Sequence, residues 1–320
     1  MKGLKIVFLG TPDFAVATLK CLVEAGYDIV GVITTPDRLG GRGRKQVIES
    51  AVKKYAAAQG LTILQPANLK APAFVEELRS LQADLQVVVA FRMLPVVVWD
   101  MPRLGTYNLH GSLLPAFRGA APINWAVIRG EEQTGVTTFK LKHEIDTGSI
   151  AYQDTVPIHK IDNVGDVHDR MMEVGAKLIL KTVQAVEQEK LELIPQDETK
   201  VSKAPKIFHE HCEIDLKKDI IDIYNHVRGL SPYPTAWMML GDIKLKVYAA
   251  SYTYQVHDLD IGTIISDDKS YITVVCKTGF LFLEDIHAAG RKRMKVKEYL
   301  NGVSLTKNTS IDLRQSVTPW

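Results

Sequence analysis

The sequence predicts an α/β fold, doubly wound about a mostly parallel sheet, with a smaller β-barrel at the carboxyl end. Three observations carry this. Residues 4–9 and 85–91 are nearly continuous apolar runs without polar alternation, the mark of strands covered on both faces. Between such runs stand amphipathic segments with helical spacing. After residue 206 the texture changes to short alternating runs separated by Gly or Asp turns.

In chain order, residues 4–9 form the first strand, and 14–24 a helix stopped by Gly26. A second strand spans 29–33. The polar, Gly- and Arg-rich stretch 34–45 reads as a loop. A helix over 49–59 ends at Gly60, and a short strand follows at 62–64. Residues 74–81 are helical, 85–91 are a buried strand, and 106–110 are one more strand. A long helix fits 164–189, with Val167, Met171, Val174, Leu178, Thr182 and Ala185 along one side. Pro195 and Pro205 lie in a mostly polar stretch that reads as an interdomain linker. Beyond it, a helix at 220–228 precedes strands at 236–240, 244–249, 263–265, 272–276 and 280–286. Several short strands without intervening helices suggest a small barrel of oligonucleotide-binding (OB) type. The expected division is a first domain over 1–189, a linker over 190–206 and a second domain over 207–320.

The 320 residues are 46% hydrophobic and 24% charged, which excludes a disordered chain. Thirty-nine basic residues against 37 acidic ones exclude a strongly basic nucleic-acid coat, yet leave room for local patches. Cys21, Cys212 and Cys276 are odd in number and widely spaced, so neither a disulfide framework nor a cysteine zinc site is expected. A reducing cytoplasm is the simple expectation. Arg92 interrupts the longest apolar stretch, so no membrane span is expected. His209 and His211 beside Cys212 lack a second pair at zinc spacing, so no metal is expected either. Trp125 and Trp237 read as core.

Gly10-Thr11-Pro12 follows the first strand where a dinucleotide fold would carry G-x-G-x-x-G. Pro12 and Phe14 stand where glycines should admit a pyrophosphate, so a nicotinamide enzyme is disfavoured. The informative segment is Asn108-Leu109-His110-Gly111-Ser112. Residues two apart share a face of a strand, so Asn108 and His110 project together. An amide donor beside an imidazole suits carbonyl-addition chemistry: the amide holds a developing oxyanion and the imidazole moves a proton. Asp146-Thr147-Gly148 adds a carboxylate able to set a histidine tautomer. Singly, each residue also fits a structural histidine or an ordinary turn.

Residues 108–115, with Arg118-Gly119-Ala120-Ala121-Pro122-Ile123, Trp125, Thr134-Gly135-Val136-Thr137 and Asp146-Thr147-Gly148, closely resemble the folate-dependent formyltransferases. Gly10 to Ala15, Pro36-Asp37-Arg38, Gln196-Asp197-Glu198, Ala204-Pro205-Lys206-Ile207 and Ile214-Asp215 fit too. Within the family the chain is similar to the branch acting on methionyl-tRNA, and the likeness thins after about residue 250. The resemblance implies Asn108, His110 and Asp146 as the catalytic set, with Ser112, Leu113, Leu114 and Pro115 lining the folate pocket. It implies 10-formyltetrahydrofolate as donor and the α-amino group of methionine on initiator tRNA as acceptor. A monomer is the expectation, though the sequence does not give the oligomeric state. One departure stands out. The family carries a glycine after the apolar strand, where this chain has Ala90-Phe91-Arg92; that arginine either turns outward, the simpler expectation, or contacts an acidic part of the donor.

The catalytic core is shared with formyltransferases acting on sugars, so the acceptor must be read elsewhere. Arg38, Arg42, Arg44 and Lys45 lie in one stretch with three glycines, suited to irregular phosphate contacts. A solvated loop is the bland alternative. By resemblance this loop reaches the tRNA acceptor arm. Arg291, Lys292 and Arg293 offer a second basic cluster on the expected barrel, and Lys203 and Lys206 extend the set along the linker. A sugar N-formyltransferase and an inactive tRNA-binding relative are the competing readings.

Overall fold

The computed structural model describes residues 3–40, 43 and 46–305. Backbone packing divides the chain into two units. One holds Met1–Gly119, Thr134–Val156 and His168–Lys203; the other holds Ala120–Gln133, Pro157–Val167 and Ala204–Trp320.

In the first unit β1 (Lys5–Gly10) leads into α1 (Asp13–Glu24), whose first turn carries Asp13 against the positive end of the helix dipole. β2 (Asp28–Ile33) follows. Part of the stretch expected as a loop is strand: β3 (Arg38–Gly40) pairs antiparallel with β4 (Gln46–Ile48), just beyond that stretch, and Leu39 faces Val47. Ser50 caps α2 (Ala51–Ala58) by accepting from the Lys53 amide at 3.0 Å. Next come β5 (Ile63–Leu64), α3 (Pro72–Ser80), β6 (Leu85–Val89), α4 (Val96–Trp99) and β7 (Thr106–His110). β6 ends two residues earlier than its apolar run because Ala90 takes a left-handed backbone, φ 46°.

After α5 (Pro122–Ile128) the chain adds β8 (Gln133–Lys140), β9 (Ile150–Pro157) and α6 (Val164–Glu187). The sheet order is β5-β2-β1-β6-β7-β8-β9. The first five strands are parallel and β8 is antiparallel to β7. The strand order reverses between β1 and β6, as in doubly wound nucleotide-binding folds, which place ligands beyond the carboxyl ends of the strands. On one side of this sheet Val7, Leu9, Ile33, Val88 and Leu78 form a buried cluster.

The stretch 190–206 is no bare tether. Ile194 bridges Ile150, Lys203 bridges Arg118, and a short 3-10 turn spans Glu198–Lys200.

In the second unit α7 (Ile220–Gly229) is capped by Asp219, which accepts from the Ile221 amide. Asn124 of α5 donates to the Gly229 carbonyl at 2.8 Å, and a side chain at Gly229 would run into Ile128, so the two helices pack at close range. Then come β10 (Ala236–Leu240), β11 (Ile243–Tyr254), β12 (Ile264–Ser266), β13 (Ile272–Cys276), β14 (Gly279–Ala288), β15 (Met294–Lys295) and α8 (Val296–Leu300). The strands form one antiparallel sheet in the order β10-β11-β14-β13-β12, with β15 on β14. Register shifts on either side of Ala249 bend β11, the device that curls such sheets into OB-like domains. Trp237, Leu245, Val247, Val274, Leu281, Ile286 and Tyr299 fill its core.

Candidate active site

β7 is buried on both sides by β6 and β8, and its register sets Asn108 opposite Phe139 and His110 opposite Thr137. Asn108 and His110 share one face, as the two-residue spacing requires. His110 is 6% exposed, while Asn108 is half-buried. Among the described residues none hydrogen-bonds the Asn108 amide. That amide is a ready donor beside the imidazole.

The chain after His110 doubles back on itself. Thr137 organises the turn: its hydroxyl donates to the Ser112 carbonyl at 2.6 Å and accepts from the Leu114 amide at 3.0 Å. Gln153 adds bonds to the Leu114 carbonyl and to Thr137. Ser112 closes the loop by donating to the Ala116 carbonyl. Phe117, left-handed at φ 58°, then directs its carbonyl to Nε2 of His110 at 3.0 Å. A carbonyl only accepts, so in the neutral imidazole the proton sits on Nε2 and leaves Nδ1 as the open base.

Nδ1 faces Asp146, with Oδ2 3.8 Å away. The Asp146 side chain is 13% exposed and accepts from the Gly119 amide at 3.0 Å. Asp146 also holds a left-handed backbone, φ 55°, which aspartate tolerates better than most residues. The sequence offers the aspartate both to set the tautomer and to stabilise a cationic imidazole. In the structure the Phe117 carbonyl fixes the Nε2 proton, a backbone contact that carries no side-chain signal. The arrangement offers an amide donor, an imidazole with one nitrogen open to move a proton, and a carboxylate facing that nitrogen at 3.8 Å.

Of the residues expected around a donor pocket, Ser112 and Leu114 are buried and structural in their contacts, while Leu113 and Pro115 are half-buried. Thr137 belongs to the Thr134–Thr137 motif of the resemblance, but nothing in the sequence marks its role in this turn, and Gln153, in the polar middle of β9, carries no signal at all. Arg92 is not turned outward. Its guanidinium donates to the carbonyls of Pro66 and Ala67 and lies 5.6 Å from the Phe91 ring centroid. The two carbonyls after β5 supply acceptors for a side chain that has donors and no acceptor.

The basic residues differ in availability. Arg42, Arg44 and Lys45 lie outside the described residues. Arg38 is exposed on β3, and Lys203 is exposed on the 190–206 stretch. Lys206 sits over the Phe208 ring at 5.2 Å. In the second unit Lys292 is exposed, and Arg291 reaches the Gly302 carbonyl and lies over Tyr299. Arg293 makes a two-pronged bond to Asp285, at 2.9 and 3.0 Å, and stacks over Tyr248. That guanidinium pulls the Asp285 carboxyl below its ordinary range. Among the described residues no helix is long and apolar enough to cross a membrane, and no group of three or more His, Cys, Asp or Glu could hold a metal ion.

The chain matches the formyl transferase family over residues 4–183 and the formyl transferase C-terminal domain over residues 206–304. It is 53% identical over 311 residues to the methionyl-tRNA formyltransferase of Parabacteroides distasonis, covering 94% of this chain and 96% of that one. It is 46% identical to the methionyl-tRNA formyltransferase of Flavobacterium johnsoniae, covering 97% and 100%. Among solved structures, an N-formyltransferase from Helicobacter canadensis in complex with folinic acid and dTDP-3-aminofucose shares the fold, with a TM-score of 0.64 at 21% identity. That match covers 88% of this chain and 98% of the other.

Proposed function

Because the chain belongs to the formyl transferase family, we propose that Asn108, His110 and Asp146 carry out its group transfer. The enzyme moves the formyl group of 10-formyltetrahydrofolate to the α-amino group of methionine on initiator methionyl-tRNA, the step that prepares this tRNA for translation initiation. A sugar acceptor is disfavoured. The relatives that match at high identity over nearly the whole chain are methionyl-tRNA formyltransferases, whereas the sugar-acting structures share only the fold.

A single observation carries the assignment of the site: an Asn108 amide that no described residue hydrogen-bonds, beside His110, whose Nδ1 faces the Asp146 carboxylate at 3.8 Å. Such a donor next to a proton-moving group fits a formyl oxygen. As the neutral amine attacks the formyl carbon, Asn108 donates to the oxygen on which negative charge develops. His110, protonated or sharing its proton, stabilises the same charge. The amine sheds a proton and the folate nitrogen gains one as it leaves; His110 and Asp146 relay that proton. The backbone at Ser112, Leu113, Leu114 and Pro115 borders the donor, with the half-buried faces of Leu113 and Pro115 offering apolar contact.

For the acceptor, Arg38, Arg42, Arg44 and Lys45 contact the tRNA acceptor arm, and Lys203, Lys206, Arg291, Lys292 and Arg293 hold its backbone. Residues 1–189 are the formyl-transfer part, 190–206 the connection and 207–320 the RNA-gripping part. The protein works as a cytoplasmic monomer, in keeping with three cysteines that are all free thiols. Purified protein assayed with charged initiator tRNA and 10-formyltetrahydrofolate, against elongator methionyl-tRNA as control, tests the reading. Equal formylation of both tRNAs, or of neither, would count against it.

A further inference from the structure

Gln196 and Arg118 form a linked pair next to the Asp-Thr-Gly turn. The Arg118 guanidinium donates from Nε and Nη2 to Oε1 of Gln196, at 3.0 and 2.7 Å. From Nη1 and Nη2 it also donates to the Glu198 carboxylate, at 3.0 and 2.8 Å. Arginine has donors and no acceptor, so the amide oxygen of Gln196 must face it. The amide nitrogen then points the other way, and its two hydrogens meet the carbonyls of Asp146 and Gly148, both at 2.8 Å. The usual ambiguity of an amide's orientation is removed by the chemistry of its neighbour.

Those two carbonyls flank Thr147, so one side chain grips both peptide groups of the turn that presents Asp146. The turn needs such a grip. Asp146 is left-handed, a conformation costing on the order of 1–2 kcal/mol for a residue with a side chain. On the other side of the turn Gly148 lies so close to β8 that a Cβ there would overlap the Lys140 carbonyl oxygen. Arg118 acts at a second point as well, because the amide of the next residue, Gly119, donates to Oδ2 of Asp146 at 3.0 Å. That oxygen is the one facing His110. The backbone of 118–119 is itself tied down, since the Arg118 amide donates to the Ser202 carbonyl and the Phe117 amide to the Ser202 hydroxyl, both at 2.9 Å. The Arg118 bond also holds Glu198 below the ordinary carboxyl range, so this anchor stays charged.

We propose that Gln196, oriented by Arg118, is a positioning residue that fixes the backbone of the Asp146 turn and so aims its carboxylate at His110. It touches no substrate and acts only through Asp146. The inference rests on the reading of Asp146 as a member of the catalytic set.

Gln196→Glu is the informative substitution. Its carboxylate keeps the shape and still accepts from Arg118, but it offers no hydrogens to the Asp146 and Gly148 carbonyls. Gln196→Met removes both sets of bonds at similar size. Steady-state kinetics over a pH series, with thermal midpoints recorded in parallel, give the readout. The expected result for both variants is a kcat lowered on the order of tenfold to a hundredfold and a displaced pH dependence of kcat. KM for folate and for tRNA should stay near wild type, and the protein should remain folded at the assay temperature. Arg118→Lys, which loses the two-pronged hold on the amide, should show a milder version of the same pattern. A wild-type kcat and pH profile in Gln196→Glu would overturn the proposal. So would a loss of activity that merely follows the loss of folded protein in both Gln196 variants, since that describes a staple. Asp146→Asn, assayed alongside, separates the two levels. Near-wild-type turnover in Asp146→Asn sinks the catalytic reading itself, whereas an inactive Asp146→Asn with a fully active Gln196→Glu sinks the positioning role alone.

Discussion

The Phe117 carbonyl lies 3.0 Å from Nε2 of His110 and holds the imidazole from the side opposite Asp146. A glutamine at 110 keeps a donor for that carbonyl but cannot shuttle a proton. His110→Gln and Asn108→Ala should therefore each lower kcat by about a hundredfold or more while leaving tRNA affinity nearly intact. Turnover and filter binding on the same preparations check this. Near-normal formylation by His110→Gln would remove the imidazole from the mechanism.

Thr137 holds the turn after β7 through three hydrogen bonds, to the Ser112 carbonyl, the Leu114 amide and the Gln153 side chain. Thr137→Val keeps the shape and leaves the buried Leu114 amide and Ser112 carbonyl without that hydroxyl. The loss should be about 1–3 kcal/mol of stability, from the desolvation of unpaired groups, together with a raised KM for folate. Urea denaturation and folate titration read the two effects, and an unchanged folate KM would argue that this turn does not border the donor.

His226 on α7 is buried, its Nε2 has no hydrogen-bond partner among the described residues, and burial holds its pKa down at about 4, against 6.5 for the free side chain. A depressed folded pKa means the unfolded chain binds the extra proton first. Its contribution is full above pH 6.5 and drains away as pH falls from 6.5 toward 4, to a total of roughly 3 kcal/mol. The unfolding midpoint of the wild type should drop between pH 7.5 and pH 5 by more than that of His226→Gln. Parallel curves for the two proteins would show that His226 is not the group responsible.

The basic residues should separate by salt dependence. Arg42→Ala and Lys292→Ala should raise the tRNA KM more than the folate KM, and each should shallow the plot of log affinity against log salt by about one unit. Arg293→Ala should do less, because Asp285 already neutralises that guanidinium. Equal losses for folate and tRNA in Arg42→Ala would dismiss the loop as an RNA contact.

The shared face of Asn108 and His110 is legible because strand periodicity sets it, whatever the rest of the chain does. The parallel strands were legible for the same reason, as buried apolar runs. β8 and β9 were not: β8 is threonine-rich, and in the middle of β9 Gln153, Asp154 and Thr155 face solvent. The pairing of Arg38–Gly40 with Gln46–Ile48 is hidden among neighbouring glycines and cations. Arg92 was misjudged because its partners are main-chain carbonyls 25 and 26 residues away, and nothing in the local sequence announces them. The same holds for the Phe117 carbonyl on His110. Side-chain chemistry reads out of a sequence; long-range backbone acceptors do not.

The division of the chain into two interleaved units also bears on how such a gene can be recombined. The second unit is assembled from three stretches, Ala120–Gln133, Pro157–Val167 and Ala204–Trp320, so the polypeptide changes unit five times along its length. No single cut yields two self-contained pieces. A cassette encoding only the residues after 203 would lack α5, on which α7 packs, and a fragment stopping there would carry α5 without α7. Grafting a foreign tail onto this enzyme thus calls for transplanting the 120–133 and 157–167 stretches with it, an exchange of three cassettes and not one.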